Sequence, residues 1–128
     1  VASEMNSMSK RILVLDDDLL VLRSLEKALT KNGYNVLPVD GYDAAMAAIR
    51  DKDFDMVLSD IRMPGKDGVA ITKEIQETLI KSGKKDLPII FITGYSGDAV
   101  KLQAPLVGEI LYKPVDLDKL LITIREYL

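Results

Sequence analysis

The sequence predicts an α/β fold: a single domain with a doubly wound, five-stranded parallel sheet and helices on both faces. Three observations predict it. Short apolar runs and helical stripes alternate along the whole chain. The apolar runs are continuous rather than mixed with polar residues, as in strands covered on both sides. With 128 residues and 48% hydrophobic content, the chain can bury one compact core.

The elements follow in order. Arg11–Leu15, RILVL, is the first run. Leu22, Leu25 and Leu29 then recur at helical spacing, and Lys31-Asn32-Gly33 ends that helix with Gly33 as a left-handed cap. Asn35–Val39 is a weaker strand, and its Pro38 places it at a sheet edge because proline cannot donate to a central ladder. Tyr42–Arg50 is alanine-rich and helical by propensity. Asp55–Ser59 is the third strand, followed by a helix striped by Ile71, Ile75 and Leu79 that stops near KSGKKD. Pro88–Thr93 is the clearest buried strand. Gly97–Gln103 has room for only a short helix before Pro105. Glu109–Tyr112 is the fifth strand, and Leu117, Leu120, Leu121, Ile124 and Leu128 stripe the last helix. Val1–Ser9 is polar and aperiodic, a disordered leader or frayed start; the domain proper is 10–128.

Composition excludes several chemistries. The chain has no cysteine and no histidine, so thiolate nucleophiles, zinc–thiolate sites and imidazole bases are all absent. Any metal must be held by oxygen, which favours Mg²⁺, Ca²⁺ or Mn²⁺. A net charge of −3 and a pI near 5.0 give no reason to expect direct nucleic-acid binding. No apolar run approaches the ~20 residues of a membrane span, and no signal-peptide pattern opens the chain. A cytoplasmic setting is expected.

In a doubly wound sheet, ligands sit outside the carboxyl ends of the strands. Those ends carry Asp16, Asp17 and Asp18 after the first strand, Asp60 after the third, Thr93 on the fourth and Lys113 after the fifth. Each alone has an ordinary explanation: Asp17 or Asp18 as a helix cap, Asp60 as the start of an Asx-turn, Thr93 as a turn contact, Lys113 as a surface lysine. Their coincidence at one rim does not. Crowded carboxylates repel and raise a pKa unless a cation intervenes. Mg²⁺ resolves that conflict and accepts phosphate oxygen, and a carboxylate beside it can attack a phosphoryl group. The transferred group calls for a cation and hydrogen-bond donors, which Lys113, the Thr93 hydroxyl and the Gly94 amide can supply.

The pieces ILVLDDD, MVLSDIRMPGKDG, PIIFITG and YKP stand in order across Lys10–Leu128. With them the chain resembles the receiver domain of bacterial two-component response regulators. That resemblance implies a (βα)₅ flavodoxin-like topology with strand order 2-1-3-4-5. It implies Asp60 as phosphoacceptor, Asp17 as the main Mg²⁺ ligand, and Asp16 beside it acting partly through water. The Arg62 backbone carbonyl would complete the metal sphere, with Mn²⁺ as a substitute ion. Thr93 becomes the switch hydroxyl, Lys113 the phosphate-contacting lysine, and the Lys113–Pro114 bond cis. Arg62 and Tyr95 become the positions that tune aspartyl-phosphate lifetime. The implied partners are a sensor histidine kinase or a histidine phosphotransfer protein. The implied output is a domain or downstream protein reading the face of the fourth helix, fifth strand and fifth helix. Such a domain modifies itself and is not an enzyme acting on an external substrate.

Two features depart from the family pattern. Ile110 stands where many receivers carry an aromatic residue, three positions before the lysine, and is expected to be a packing residue. The stretch APLVGEIL is about two residues short, so the coupling route is expected through Thr93 and the short fourth segment. The rival reading is a haloacid-dehalogenase-like Mg²⁺-dependent phosphatase. There Asp16 is the nucleophile, Asp18 the acid/base, Thr93 and Lys113 fill the later motifs, and Asp116 or Asp118 the last acidic pair. It leaves SDIRMPGKDG unused and has little chain for a substrate-selecting cap. A degenerate binding module and an FMN-binding flavodoxin-like protein fit less well, the latter because the first strand–helix turn is acidic where a phosphate wants amides.

Overall fold

A computed structural model describes residues 9–94, 97 and 103–128. Five parallel strands, β1 (Arg11–Leu15), β2 (Asn35–Val39), β3 (Met56–Asp60), β4 (Ile89–Thr93) and β5 (Glu109–Tyr112), form one sheet in the order β2-β1-β3-β4-β5. Four helices are described: α1 (Leu19–Lys31), α2 (Tyr42–Asp51), α3 (Gly68–Lys81) and α4 (Leu117–Tyr127), the last being the fifth helix of the sequence reading. The expected short helix over 97–103 lies almost wholly outside the described residues, as does Tyr95; a single 3₁₀ turn, Ala104–Leu106, follows.

The strands pack a core on each face. Leu13, Leu15, Val57 and Phe91 point to one side, where Ala45, Met46 and Ile49 of α2 meet Ile71, Ile75 and Leu79 of α3. Ile12, Val14, Leu58 and Ile92 point to the other, against Leu22, Leu25 and Leu29 of α1 and Leu120, Leu121 and Ile124 of α4. The period of two along each strand sorts these sets. β2 is an edge, as Pro38 requires. Gly33 takes φ +93° just past α1, where the Tyr34 N–H reaches back to the Leu29 carbonyl at 3.1 Å.

Some details differ from the sequence reading: β3 starts one residue later, at Met56, and α2 runs one residue further, to Asp51. β3 also ends one residue later, keeping Asp60 in the ladder opposite Ile92. β4 starts at Ile89 rather than Pro88, which has no N–H to give a ladder. Leu117 does not join the apolar stripe of α4: it sits in the first turn, just after the cap Asp116, and is 40% exposed. Ile110 is half-buried and packs against the core shared by α2 and α3, as a packing residue does.

Candidate functional site

Register alone brings the strand-end residues together. Leu15 pairs with Ser59, so Asp16 and Asp60 emerge side by side; Asp60 pairs with Ile92, so Thr93 follows one step on; Thr93 pairs with Tyr112, so Lys113 follows next. The Lys113 N–H donates to the Thr93 carbonyl at 2.8 Å, fixing the end of β5 to the end of β4. The Lys113–Pro114 bond is cis, as the resemblance implies.

One oxygen each from Asp16, Asp17 and Asp60 falls within 4.8 Å of the others. Asp16 and Asp60 are buried and Asp17 is exposed, so the cluster opens to solvent on one side. Asp60 Oδ1 accepts the Ile61 N–H at 2.8 Å, and Asp16 Oδ1 accepts the Asp18 N–H at 2.9 Å. The Lys113 ammonium lies 3.4 Å from Asp60 Oδ2 and 3.7 Å from Asp16 Oδ2. One lysine thus faces two buried carboxylates. Burial pushes the Asp16 carboxyl up to about 6 and the charges of Asp60 and Asp17 add to this, while the Asp18 N–H and Lys113 pull the other way. An all-oxygen cluster with excess negative charge, open on one side, fits a hard divalent cation such as Mg²⁺.

Thr93 is buried at the end of β4, next to the strand that carries Asp60. Arg62 is exposed in the loop that leaves Asp60, flanked by buried Ile61 and Met63. Gly94 is exposed. Asp18 has a different employment: its Oδ1 accepts the Leu20 and Val21 N–H groups at 2.9 and 3.4 Å and caps α1. Asp116 likewise caps α4, accepting the Lys119 N–H at 3.2 Å. The acid/base of the phosphatase reading, Asp18, and one of its two candidates for the last acidic pair, Asp116, are therefore spent on helix ends.

The sequence reading missed one residue on which the site rests. Gly68 opens α3 directly beneath Asp60, and its N–H donates to the Ile61 carbonyl at 2.7 Å. A Cβ there would stand 1.8 Å from the Asp60 carbonyl oxygen and 2.8 Å from the Ser59 hydroxyl. The motif MPGKDG held the signal: two glycines in one turn. Gly65, at φ +77°, serves the turn's conformation, whereas Gly68 serves close approach.

Among the described residues, no helix is long and apolar enough to cross a membrane. Residues 12–125 match the family model of the response regulator receiver domain. The transcriptional regulatory protein ZraR of Salmonella typhimurium is 39% identical over 120 residues, covering 91% of this chain. The chain spans about a quarter of the length of that relative, 26%. The response regulator receiver protein CpdR of Brucella abortus is 36% identical over 121 residues, covering 93% of this chain and 97% of CpdR. Among solved structures, the response regulator TrrA of Thermotoga maritima in complex with Mg²⁺-BeF superposes with a TM-score of 0.81 at 30% identity, covering 93% of this chain and 99% of that one. The chemotaxis protein CheY4 of Vibrio cholerae superposes with a TM-score of 0.82 at 26% identity, covering 94% and 99%. With the sheet order, the convergent rim and the match over 12–125 agreeing, the chain belongs to the response regulator receiver domains of two-component systems.

Proposed function

We propose that this chain is a phosphorylation switch whose phosphoacceptor is Asp60. The observation that carries the reading is the cluster of three carboxylates at the carboxyl rim, two of which, Asp16 and Asp60, face one lysine. Asp16, Asp17, Asp60 and the Arg62 carbonyl would hold Mg²⁺, or Mn²⁺ in its place. When bound, the ion would neutralise charge on the carboxylates and on the incoming phosphoryl oxygens.

The chain's own residues do the rest. The donor is a phosphohistidine on a sensor histidine kinase or a histidine phosphotransfer protein. An Asp60 carboxylate oxygen attacks phosphorus; the bond from phosphorus to the imidazole nitrogen breaks, and its electron pair stays with the imidazole, which takes up a proton. Lys113 loses a carboxylate partner as Asp60 becomes an acyl phosphate, and turns to the phosphoryl oxygens. The Thr93 hydroxyl, one strand over, donates to another. Drawing Thr93 and Lys113 toward one group biases the ends of β4 and β5 between two arrangements. The face built on β5, α4 and the preceding segment then presents that bias to an output domain or a separate protein. With Ile110 half-buried against the core, the route runs through Thr93. The chain acts on itself and turns over no external substrate, in the cytoplasm where such donors work.

Incubating wild type and Asp60→Asn with a small phosphodonor and Mg²⁺, then recording intact masses promptly, tests this. A phosphoryl adduct on wild type, absent from Asp60→Asn and absent with chelator, is the expected result. An adduct that survives Asp60→Asn and is lost in Asp16→Asn overturns the assignment in favour of Asp16 as nucleophile. No adduct on any variant overturns the switch chemistry itself.

A further inference from the structure

Away from the acidic pocket, three side chains from three separate elements close on one another. Tyr42 opens α2, Glu74 lies in α3, and Lys66 sits in the loop joining β3 to α3. The Tyr42 hydroxyl donates to Glu74 Oε1 at 2.6 Å, and Lys66 Nζ donates to Glu74 Oε2 at 2.5 Å. The same ammonium stands 4.4 Å from the centroid of the Tyr42 ring. Each member contacts both others, so the group is a closed triangle. A lone exposed ion pair fixes little, but here each oxygen of one carboxylate is engaged and the cation also rests on a ring face.

The triangle is not needed to dock α2 on α3. Ala45, Met46 and Ile49 already meet Ile71 and Ile75 in the core. What it adds is a hold on the loop. Residues 61–67 leave Asp60 and return to Gly68, whose N–H closes the loop on the Ile61 carbonyl. Ile61 and Met63 are buried, whereas Pro64, Gly65 and Lys66 form an exposed tip turning through Gly65. Lys66 is that tip's side-chain link to the helices. Arg62, whose carbonyl the proposed function assigns to the cation, lies on the stretch between the anchored base and the clasped tip.

We propose that Tyr42, Lys66 and Glu74 form a clasp that positions the β3–α3 loop for its share in holding the divalent cation, with Lys66 as the positioning residue. This rests on the reading of Asp16, Asp17, Asp60 and Arg62 given above. None of the three touches the reacting atoms.

The sign of the effect separates positioning from charge. Lys66→Met removes a positive charge from the neighbourhood of an acidic pocket, which by electrostatics alone would tighten Mg²⁺ binding. Loss of a clasp weakens it instead. Calorimetric titration of the full chain with MgCl₂ reads the dissociation constant, and backbone amide relaxation of Arg62, Met63, Gly65 and Lys66 in the metal-free protein reads the loop directly. Lys66→Met is expected to raise the dissociation constant by about threefold to tenfold, at or below the low end of what outer-sphere partners usually contribute. It is also expected to loosen the tip amides while leaving thermal unfolding close to wild type. Tyr42→Phe should do the same to a lesser degree, and Lys66→Arg, which keeps charge, ring contact and ion pair, should restore both readouts. Unchanged or tighter Mg²⁺ binding in Lys66→Met, with tip amides as ordered as in wild type, overturns the clasp alone. Absence of Mg²⁺ binding in wild type overturns the cation reading and the clasp with it.

Discussion

The two rims of the sheet are built from the same residue types and reach opposite electrostatic outcomes. At the amino-terminal rim Asp53, Asp55 and Glu109 each have a donor of their own. Asp53 pairs with Lys84 at 2.7 Å, Asp55 accepts the Arg11 N–H at 2.8 Å, and the Arg11 guanidinium donates to the Asp53 carbonyl beside the Phe54 ring. Glu109 accepts the Tyr127 hydroxyl at 2.6 Å. At the carboxyl-terminal rim three carboxylates crowd together and one lysine faces two of them at 3.4 and 3.7 Å. A fold has every opportunity to resolve such a conflict, as the opposite rim demonstrates. Keeping it unresolved makes sense where a ligand is to resolve it, and that is why the conflict marks the site.

The largest effects with which to sharpen the comparison come from one glycine on each rim. Gly68 lies under Asp60, and a Cβ there meets backbone oxygen at 1.8 Å. Gly108 lies beside β4 at the other rim, where a Cβ would meet the Ile89 carbonyl oxygen at 2.4 Å. Neither oxygen can move without breaking a strand or a loop, so each alanine substitution is expected to cost about 3 kcal/mol in urea unfolding. Their consequences then diverge. Gly68→Ala shifts the Asp60 backbone and should abolish phosphoryl adduct formation, even in stabilising osmolyte. Gly108→Ala should form the adduct once osmolyte restores folding. Equal loss of adduct in both would mean that the rims are not separable.

Those glycines also show what could be read from sequence. Strands and helices were legible because hydrophobic period and capping are local: Leu22, Leu25 and Leu29 announce α1, and Pro38 announces an edge. The cluster was legible because strand ends are local and the topology rule gathers them. Which of the three consecutive aspartates caps a helix was not, since Asp17 and Asp18 differ only in the direction each side chain takes. Leu117 looked like part of a stripe because a pattern cannot show that its neighbours leave the first turn exposed. Gly68 beneath Asp60, Arg11 against Asp53 and Tyr42 against Glu74 join segments eight to more than forty residues apart, and such contacts leave no periodic trace.

Asp16→Asn should give the next largest effect, and in an unusual direction. The Asp16 carboxyl is raised from 3.8 to about 6. Between those values the folded protein holds a proton that the unfolded chain has released, so stability falls as pH rises through that window. Asparagine keeps an oxygen for the Asp18 N–H and has no charge to desolvate. The metal-free variant is therefore expected to be more stable than wild type at pH 7, by about 2 kcal/mol, with the difference vanishing below pH 4. Urea unfolding at both pH values measures it. The same substitution should weaken Mg²⁺ binding, and for wild type that binding should fade as pH drops below about 6, because the ligand must be ionised. A destabilised Asp16→Asn at pH 7 would break the view that this rim stores a conflict.

The smallest effect belongs to the matched rim and must carry the opposite slope. Lys84 holds the exposed Asp53 carboxyl below its ordinary value of 3.8, chiefly through their hydrogen bond and then through charge. A depressed carboxyl contributes stability above that value and loses it as pH falls through the folded-state pKa. Wild type minus Lys84→Met, followed by Tm between pH 5 and 2.5, should therefore shrink as pH falls. Wild type minus Asp16→Asn does the reverse between pH 4 and 6. Both partners at Asp53 are exposed, so the Lys84 difference is expected to be small and to vanish near 1 M salt, where screening acts within about 3 Å. The Asp16 difference, set mainly by burial, should persist there. If both differences ran the same way with pH, or both disappeared in salt, the contrast between a matched rim and a strained one would fail.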